Sequence, residues 1–316
     1  MNIQELINDL NMRSPEDQIQ AIHSFLEKAS FDEIQEIKKH LYTVKQPWLK
    51  NTLNIYLDLF DHEENIDLFR TSSTKENENN SVKKELDYSA DYDIAYNVDE
   101  IRSQAVAESI GQIIHELDPL IGSLEIVATR EVNNYENSRV KSEINRLQEL
   151  VDTFTAWKKS QETPNYQNLI IYDIVVDEVD RIKQKENSTF IVNIPHDLDF
   201  EVDNFMLRTI LSNSLRNAIE SHKSVLDRVA SLIVVNAGTL ENKNLWISII
   251  DEGIGLPKNQ TKLFKSQYTT KPGSRGFGLT IVAKSIKSMK GTWDLKNSFP
   301  YGATFYFEIP RRSGEE

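Results

Sequence analysis

Two stretches of this chain place apolar residues at helical intervals and contain nothing that covers them. Val106, Ile110, Ile113, Leu117, Ile121 and Leu124 recur at steps of 4, 3, 4, 4 and 3, one continuous stripe along a helix. Val140, Ile144, Leu147, Val151 and Phe154 follow at steps of 4, 3, 4 and 3, and the intervening VNNYENS is rich in turn formers. The pair reads as an antiparallel helical hairpin. Two helices alone cannot bury both stripes, so two hairpins pairing into a four-helix bundle is the natural cover, and a homodimer through about Val98 to Lys159 is expected.

Upstream, residues 1–70 are also helical in pattern, with Ile19, Ile22, Phe25 and Leu26, then Ile34, Ile37 and Leu41, at helical spacing. Ser14-Pro15-Glu16-Asp17 offers an N-cap, a first-turn proline and acids at the positive helix end, and Pro47 opens a comparable segment 32 positions later. That fits either a HEAT-like repeat or a plain helical bundle. Residues 71–97 begin TSSTKENENNSVKK, too polar to offset their own ordering entropy, and read as a linker. Lys plus Arg number 36 against 49 Asp plus Glu, and 36 − 49 leaves −13 spread along the chain, which disfavours nucleic-acid binding. Apolar runs such as Leu245 to Ile250 fall far short of the roughly 20 residues a membrane helix needs, so no membrane insertion is expected. The opening MNIQELINDL lacks a signal-peptide pattern. With no cysteine, disulfides, thiolate chemistry and Cys-ligated zinc are excluded. A soluble, cytoplasmic, multidomain protein is the expectation.

From about Asn168 helix and strand signals alternate: a helix through Arg181, a strand at Phe190 to Ile194, a helix from Asp203 to His222, strands SLIVVNA and LWISII, a helix after Gly278 and a last strand at Ala303 to Ile309. That order predicts a sheet with helices packed on one face. Three segments in this half stand out. In LSNSLRNAIES, Asn213 and Asn217 lie four apart, on one face of a helix whose other side is apolar. The strand LWISII runs into Asp251-Glu252-Gly253-Ile254-Gly255, a carboxylate at a strand end followed by glycines that let backbone approach a flat ligand. Gly273-Ser274-Arg275-Gly276-Phe277-Gly278 opens a helix, whose free N–H groups suit phosphate. Each alone is also what capping asparagines or an ordinary glycine turn look like. Their order is the stronger signal, with Asp251 34 residues after Asn217 and Gly276 a further 25 on.

This arrangement resembles the GHKL (Bergerat) ATP-binding fold over about Asn168 to Arg311, and within it the ATPase domain of sensor histidine kinases. Leu263 to Lys271, LFKSQYTTK, is similar to the F box of the short-lid, nitrogen-regulation type. The resemblance implies an α/β sandwich over 163–312 that binds ATP with Mg2+. Asp251 would then read the adenine amino group, Gly253 and Gly255 would shape the base pocket, and Asn217 would hold the metal through its amide oxygen. Asn213 would line the same site. Gly276 and Gly278 would offer N–H groups to the phosphates, with Thr269, Thr270, Lys271 and Arg275 on the lid. Ser274 stands where the family's first lid glycine is found. ATP-hydrolysing members carry a glutamate general base at position 213; Asn213 cannot take a proton, so transfer to another protein group is the better expectation.

The acceptor implied by the resemblance is His115. At 100° per residue it lies roughly 200° from Ile113 and from Leu117, away from the apolar stripe. His115-Glu116-Leu117-Asp118-Pro119-Leu120 resembles the H box of histidine kinases, in which Glu116 would be the general base. The other histidines, His23, His40, His62, His196 and His222, read as surface residues. The family places its proline five residues after the histidine, whereas Pro119 comes at four and displaces the family's phosphatase residue.

The expected organisation is multidomain: an all-α region at 1–70, the linker at 71–97, a dimerisation and histidine-phosphotransfer hairpin at 98–162 and the ATP-binding domain at 163–312. The expected activity is ATP-dependent autophosphorylation of His115 and transfer to a response-regulator aspartate in trans, with the N-terminal region free to bind a protein partner. A nucleotide-binding scaffold without phosphotransfer, and a GHKL ATPase or clamp, are the alternatives.

Overall fold

The computed structural model describes residues 14–59, 92–183, 188–223, 231–256, 277–298 and 301–312, and also places Leu6 and Leu10. Three N-terminal helices come first: α1 (Pro15–Lys28), α2 (Phe31–His40) and α3 (Pro47–Leu59). The Ser14 side chain accepts from the Asp17 amide with Pro15 in the first turn, while Ser30 and Glu33 form a reciprocal capping box. A long helix α4 (Tyr92–Glu131) and its partner α5 (Arg139–Lys159) make the hairpin. Asn134, in the left-handed region at φ 54, and the Ser138 cap turn the chain between them. The helix starts at Tyr92 rather than at Val98, so the end of the expected linker is helical. Ile94, Val98 and Ile101 already carry the 4, 3 spacing there.

The C-terminal half holds β1 (Tyr166–Ile170), α6 (Ile171–Lys183), β2 (Ser188–Asn193), β3 (Asp199–Asp203), α7 (Asn204–Lys223), β4 (Ser231–Thr239), β5 (Leu245–Asp251), α8 (Gly278–Ser288), β6 (Thr292–Asn297) and β7 (Ala303–Ile309). Strands β1 and β3 pair antiparallel, and the main sheet has order β2-β4-β5-β7-β6. Only the β2–β4 pairing in that sheet is parallel. Alternation sends Ile233, Val235, Ile247, Ile249, Phe305 and Phe307 to one side, where they form a core with Val175, Val179, Leu207, Ile210 and Leu211 from the helices.

The opposite side is not left to solvent. Val234 and Ile250 are buried in a second core with Ile19, Ile22, Leu26, Leu49 and Leu53 of the N-terminal helices. The expectation of helices on one face is therefore corrected to helices on both, because the outer residues of β4 and β5 are themselves apolar. Trp246, 2% exposed, meets Trp48 edge-on at 4.8 Å between ring centroids. A polar seam runs beside it. Thr52 Oγ1 donates to Asn236 Oδ1 at 3.1 Å, Asn193 Nδ2 donates to the same oxygen at 3.0 Å, and Asn236 Nδ2 donates to Ser248 Oγ at 3.1 Å. Buried groups satisfied in this way fix one docking geometry. His23 and His222, expected at the surface, are buried, and His62 lies outside the described residues.

The hairpin stripe divides in two. Leu117 and Ile121 of α4 pack on Ile144 and Val151 of α5, together with Ile114 and Ala128. Ile113, Leu120, Leu124 and Val127, with Val140 and Leu147, remain exposed.

Candidate functional site

Asp251 ends β5 and is buried. Its Oδ1 accepts from the Gly253 amide at 2.8 Å and faces the Ser221 hydroxyl at 3.4 Å. This places the strand end against the last turns of α7, and the contact explains Gly253: a Cβ there would stand 1.8 Å from Ser221 Oγ. Gly255 adopts φ +72, a conformation costly for other residues, and Asn297 Oδ1 accepts the Leu256 amide at 2.7 Å. Gly302, before β7, lies so close to the Asp251 carbonyl that a Cβ would meet that oxygen at 1.8 Å. The loop from Asp251 to Leu256 is thus held at one end by Gly302 and at the other by Asn297.

Asn213 and Asn217 lie half-buried on α7, with Met206, Leu207, Ile210 and Leu211 of the same helix in the core. Asn213 Nδ2 donates to the Thr209 carbonyl one turn back at 2.8 Å, and its Oδ1 sits 3.1 Å from where a Cβ on Gly278 would be. The start of α8 is brought against this asparagine because position 278 has no side chain. Thr269, Thr270, Lys271, Arg275 and Gly276 lie outside the described residues. Ser221, Asn297 and Gly302 brace the loop without having been singled out in the sequence. Gly302, a glycine just before the last strand, carried the one available signal.

His115 and Glu116 are exposed on α4, and the helix runs on through Pro119. A proline in a helix withdraws the N–H that would bond the carbonyl four residues earlier. Here that carbonyl belongs to His115 itself. The hairpin also touches the sheet domain through α8. Ser288 Oγ donates to the Ser160 carbonyl at 2.7 Å, Lys284 Nζ reaches Gln161 Oε1 at 3.2 Å and lies over the Trp157 ring, and Phe277 meets Phe154 at 6.3 Å between centroids. Burial lowers the pKa of Lys284 at this contact. The helix that begins beside Asn213 is therefore one on which the hairpin rests, and Lys159 of α5 also lies over the Phe205 ring of α7.

Among the described residues no cluster of three or more His, Asp or Glu could hold a metal. The oxygen available on the asparagine face is a carboxamide, which suits a hard cation that takes its other ligands from phosphates and water.

Residues 202–313 match the family of histidine kinase-, DNA gyrase B- and HSP90-like ATPases. Over these residues the chain carries an ATPase domain of that GHKL type. It is similar to sensor histidine kinase AtsR of Burkholderia thailandensis, 25% identical over 64% of this chain and 36% of that protein. It is also similar to sensor histidine kinase WalK of Bacillus subtilis, 30% identical over 45% of this chain and 24% of the relative. The chain spans little more than a third of the length of the first relative and about a quarter of the second. A crystal structure of full-length ShkA in complex with AMPPNP shares the fold at a TM-score of 0.50 and 19% identity, covering 65% of this chain and 46% of that one. No helix among the described residues is long and apolar enough to cross a membrane.

Proposed function

We propose that the chain is an ATP-dependent histidine autokinase acting as a homodimer in the cytoplasm. The observation that carries this reading is the joining of three parts: a GHKL-type domain, an exposed His115 on a helical hairpin, and the contact of that hairpin with α8 beside Asn213. Asp251 receives the adenine amino group, Gly253 and Gly255 admit the flat base, and the α8 start at Gly278 faces the phosphates; Gly276 would add its N–H, and Thr269, Thr270, Lys271 and Arg275 would contact the nucleotide from the lid. Asn217 would hold Mg2+, whose charge neutralises the phosphate oxygens. A ring nitrogen of His115 attacks the γ-phosphorus, the bond to the β-phosphate oxygen breaks, ADP leaves, and Glu116 takes the imidazole proton. A receiver-domain aspartate on a separate protein then accepts the phosphoryl group. The exposed strip of Ile113, Leu120, Leu124 and Leu147 supports pairing of two hairpins, with residues 98–162 as the dimerisation unit and 163–312 as the ATP-binding unit. Kinship to the short-lid type rests on residues 263–271.

The test is incubation with γ-labelled ATP. Wild type should acquire an acid-labile, base-stable phosphoryl group, His115→Gln should acquire none, and Glu116→Gln should label about 100-fold more slowly, the usual size of a lost general base. The position of Pro119 favours a second reading, a nucleotide-binding scaffold. Wild type that binds ATP and never labels would establish it.

A further inference from the structure

Three cross-contacts set the register of the two hairpin helices. Gln148 Nε2 reaches Asp118 Oδ1 at 3.4 Å, Lys141 pairs with Glu125 at 2.6 Å, and the Lys158 side chain lies 3.1 Å from where a Cβ on Gly111 would be. The residue numbers in these pairs total 266, 266 and 269, so the residue opposite His115 lies between 151 and 154. Phe154, which meets Phe277, is therefore within three residues of that level, about 4.5 Å along the axis at ~1.5 Å per residue. Phe277 immediately precedes Gly278, where α8 starts beside Asn213. The start of α8 thus stands close to the height of His115 along the hairpin.

What fixes this height is the end of α5 and not its flank. Along a helix every backbone carbonyl except those of the last turn already has an intrahelical partner. Ser160, the C-cap of α5, is 1% exposed, and its carbonyl accepts from Ser288 Oγ at 2.7 Å. Lys284 brings a cation to the same end, where the helix dipole is negative, and donates to Gln161 Oε1 at 3.2 Å. A ring contact such as Phe154–Phe277 tolerates a slide along α5; a bond to the free carbonyl at its end does not. The connector beyond is pinned as well. The Asn165 amide donates to Asp203 Oδ2 at 2.6 Å, while Asp203 Oδ1 accepts the Met206 amide in the first turn of α7 at 2.8 Å.

We propose that Ser288 and Lys284 are positioning residues for phosphoryl transfer: by holding the end of α5 they set the height of the ATP-binding domain on the hairpin, so that the start of α8 comes level with His115. This rests on the reading of His115 as the acceptor and of the α8 start as the phosphate end. Reacting groups displaced by about 1 Å can lose about 100-fold in rate, so a fixed height matters. In a two-fold dimer whose axis runs along the hairpins, both His115 rings lie at one height. The same setting therefore serves transfer within a chain or between chains.

The experiment measures labelling of the full chain by γ-labelled ATP over a range of ATP concentrations, and ADP binding by calorimetry. Ser288→Ala removes only the hydroxyl, and Lys284→Met keeps the stem over Trp157 and removes the charge. Each should lower kcat for labelling about fivefold, the worth of one net hydrogen bond, with KM for ATP and the ADP affinity unchanged. Ser288→Thr, which keeps a hydroxyl, should restore the rate. If wild type labels and both variants label equally fast, the positioning role is overturned while the autokinase reading stands. Faster labelling by the variants also overturns it, since the contact would then be a brake. A loss of ADP affinity as large as the loss of rate would show that these residues merely support the nucleotide site. If wild type binds ADP and never labels, the autokinase reading fails and the proposal falls with it.

Discussion

In the N-terminal helices Ile19, Ile22, Leu26, Ile34 and Ile37 are all but inaccessible, whereas in the hairpin Ile113, Leu120 and Leu147, at the same helical spacing, are 52%, 64% and 43% exposed. A helical apolar stripe states that a cover is needed and is silent about where it comes from. For α1 to α3 the cover is the outer face of the main sheet, with Val234, Trp246 and Ile250. For α4 and α5, Ile121, Ile144 and Val151 are covered within the chain, whereas among the described residues Ile113, Leu120, Leu124 and Leu147 are exposed. Two helical regions that look alike in sequence thus differ in whether the chain can complete them itself.

A matched pair of substitutions sharpens this difference. Leu53→Ala opens a cavity in the closed core between α3 and the sheet and should cost about 2 to 5 kcal/mol. Its effect in urea unfolding should not depend on protein concentration. Leu147→Glu is tolerated within one chain, where the side chain already meets water, and should leave the far-ultraviolet spectrum intact. In a dimer it places a charge on the seam from both copies. Losing about 1.5 kcal/mol or more per leucine, twice over, should raise the dissociation constant by about 100-fold. Sedimentation at micromolar concentrations checks this. Unaltered association would show that the exposed strip is not the dimer surface.

Much of the fold was legible because it is local. The period of the stripes predicted the hairpin, and Ser14, Pro15 and Pro47 marked helix starts that the structure contains. The strand ending at Asp251 and the helix carrying Asn213 and Asn217 were visible from alternation and spacing. Strands β1, β3 and β6 were not, since YQNLI, DFEVD and TWDLKN are short and rich in polar residues. Ser221, Asn297 and Gly302 escaped for a different reason: they brace the loop from elements that only the fold brings near. The docking of α3 is non-local too, with Thr52 and Asn236 184 positions apart. One clue was available. LWISII is apolar on both of its faces, and a strand of that kind is normally covered on both sides.

His23 offers a way to loosen the N-terminal helices without touching the hairpin. Burial holds its ring at a pKa of about 4, below the ordinary 6.5. A depressed folded pKa means the stability is fully present above pH 6.5 and is lost as pH falls from there towards 4, because the unfolded chain takes up the proton first. At pH 5 the loss attributable to His23 should be about 2 kcal/mol. Urea unfolding at pH 7.5 and pH 5, compared with His23→Gln, isolates it from the carboxylates. An equal acid sensitivity in the variant would mean that His23 is protonated in the folded chain as readily as in the unfolded one.

The smallest effect is expected at the ion cluster on the edge of the same interface, where Lys296 contacts both Glu16 of α1 and Asp294. Burial raises the Glu16 pKa in spite of the lysine. For Asp294 burial is again the largest single cause and acts in the same direction, yet the hydrogen bonds of Lys296 and Glu16, the lysine charge and the Leu295 amide together outweigh it and the pKa falls. The lysine therefore serves Asp294, and ionised Glu16 is a mild burden at neutral pH. Their contributions to stability run oppositely with pH: that of Asp294 is lost on acidification, while that of Glu16 is lost as pH rises through its folded pKa. Because the groups are partly exposed and screened, Glu16→Gln should change unfolding stability by no more than about 0.5 kcal/mol at pH 7, in the stabilising direction if at all. Asp294→Asn should be destabilising under the same conditions. A loss above about 1 kcal/mol for Glu16→Gln would exceed the usual range of an exposed ion pair. It would mean that charge, and not the apolar seal around Leu53 and Trp246, fastens the N-terminal helices to the sheet.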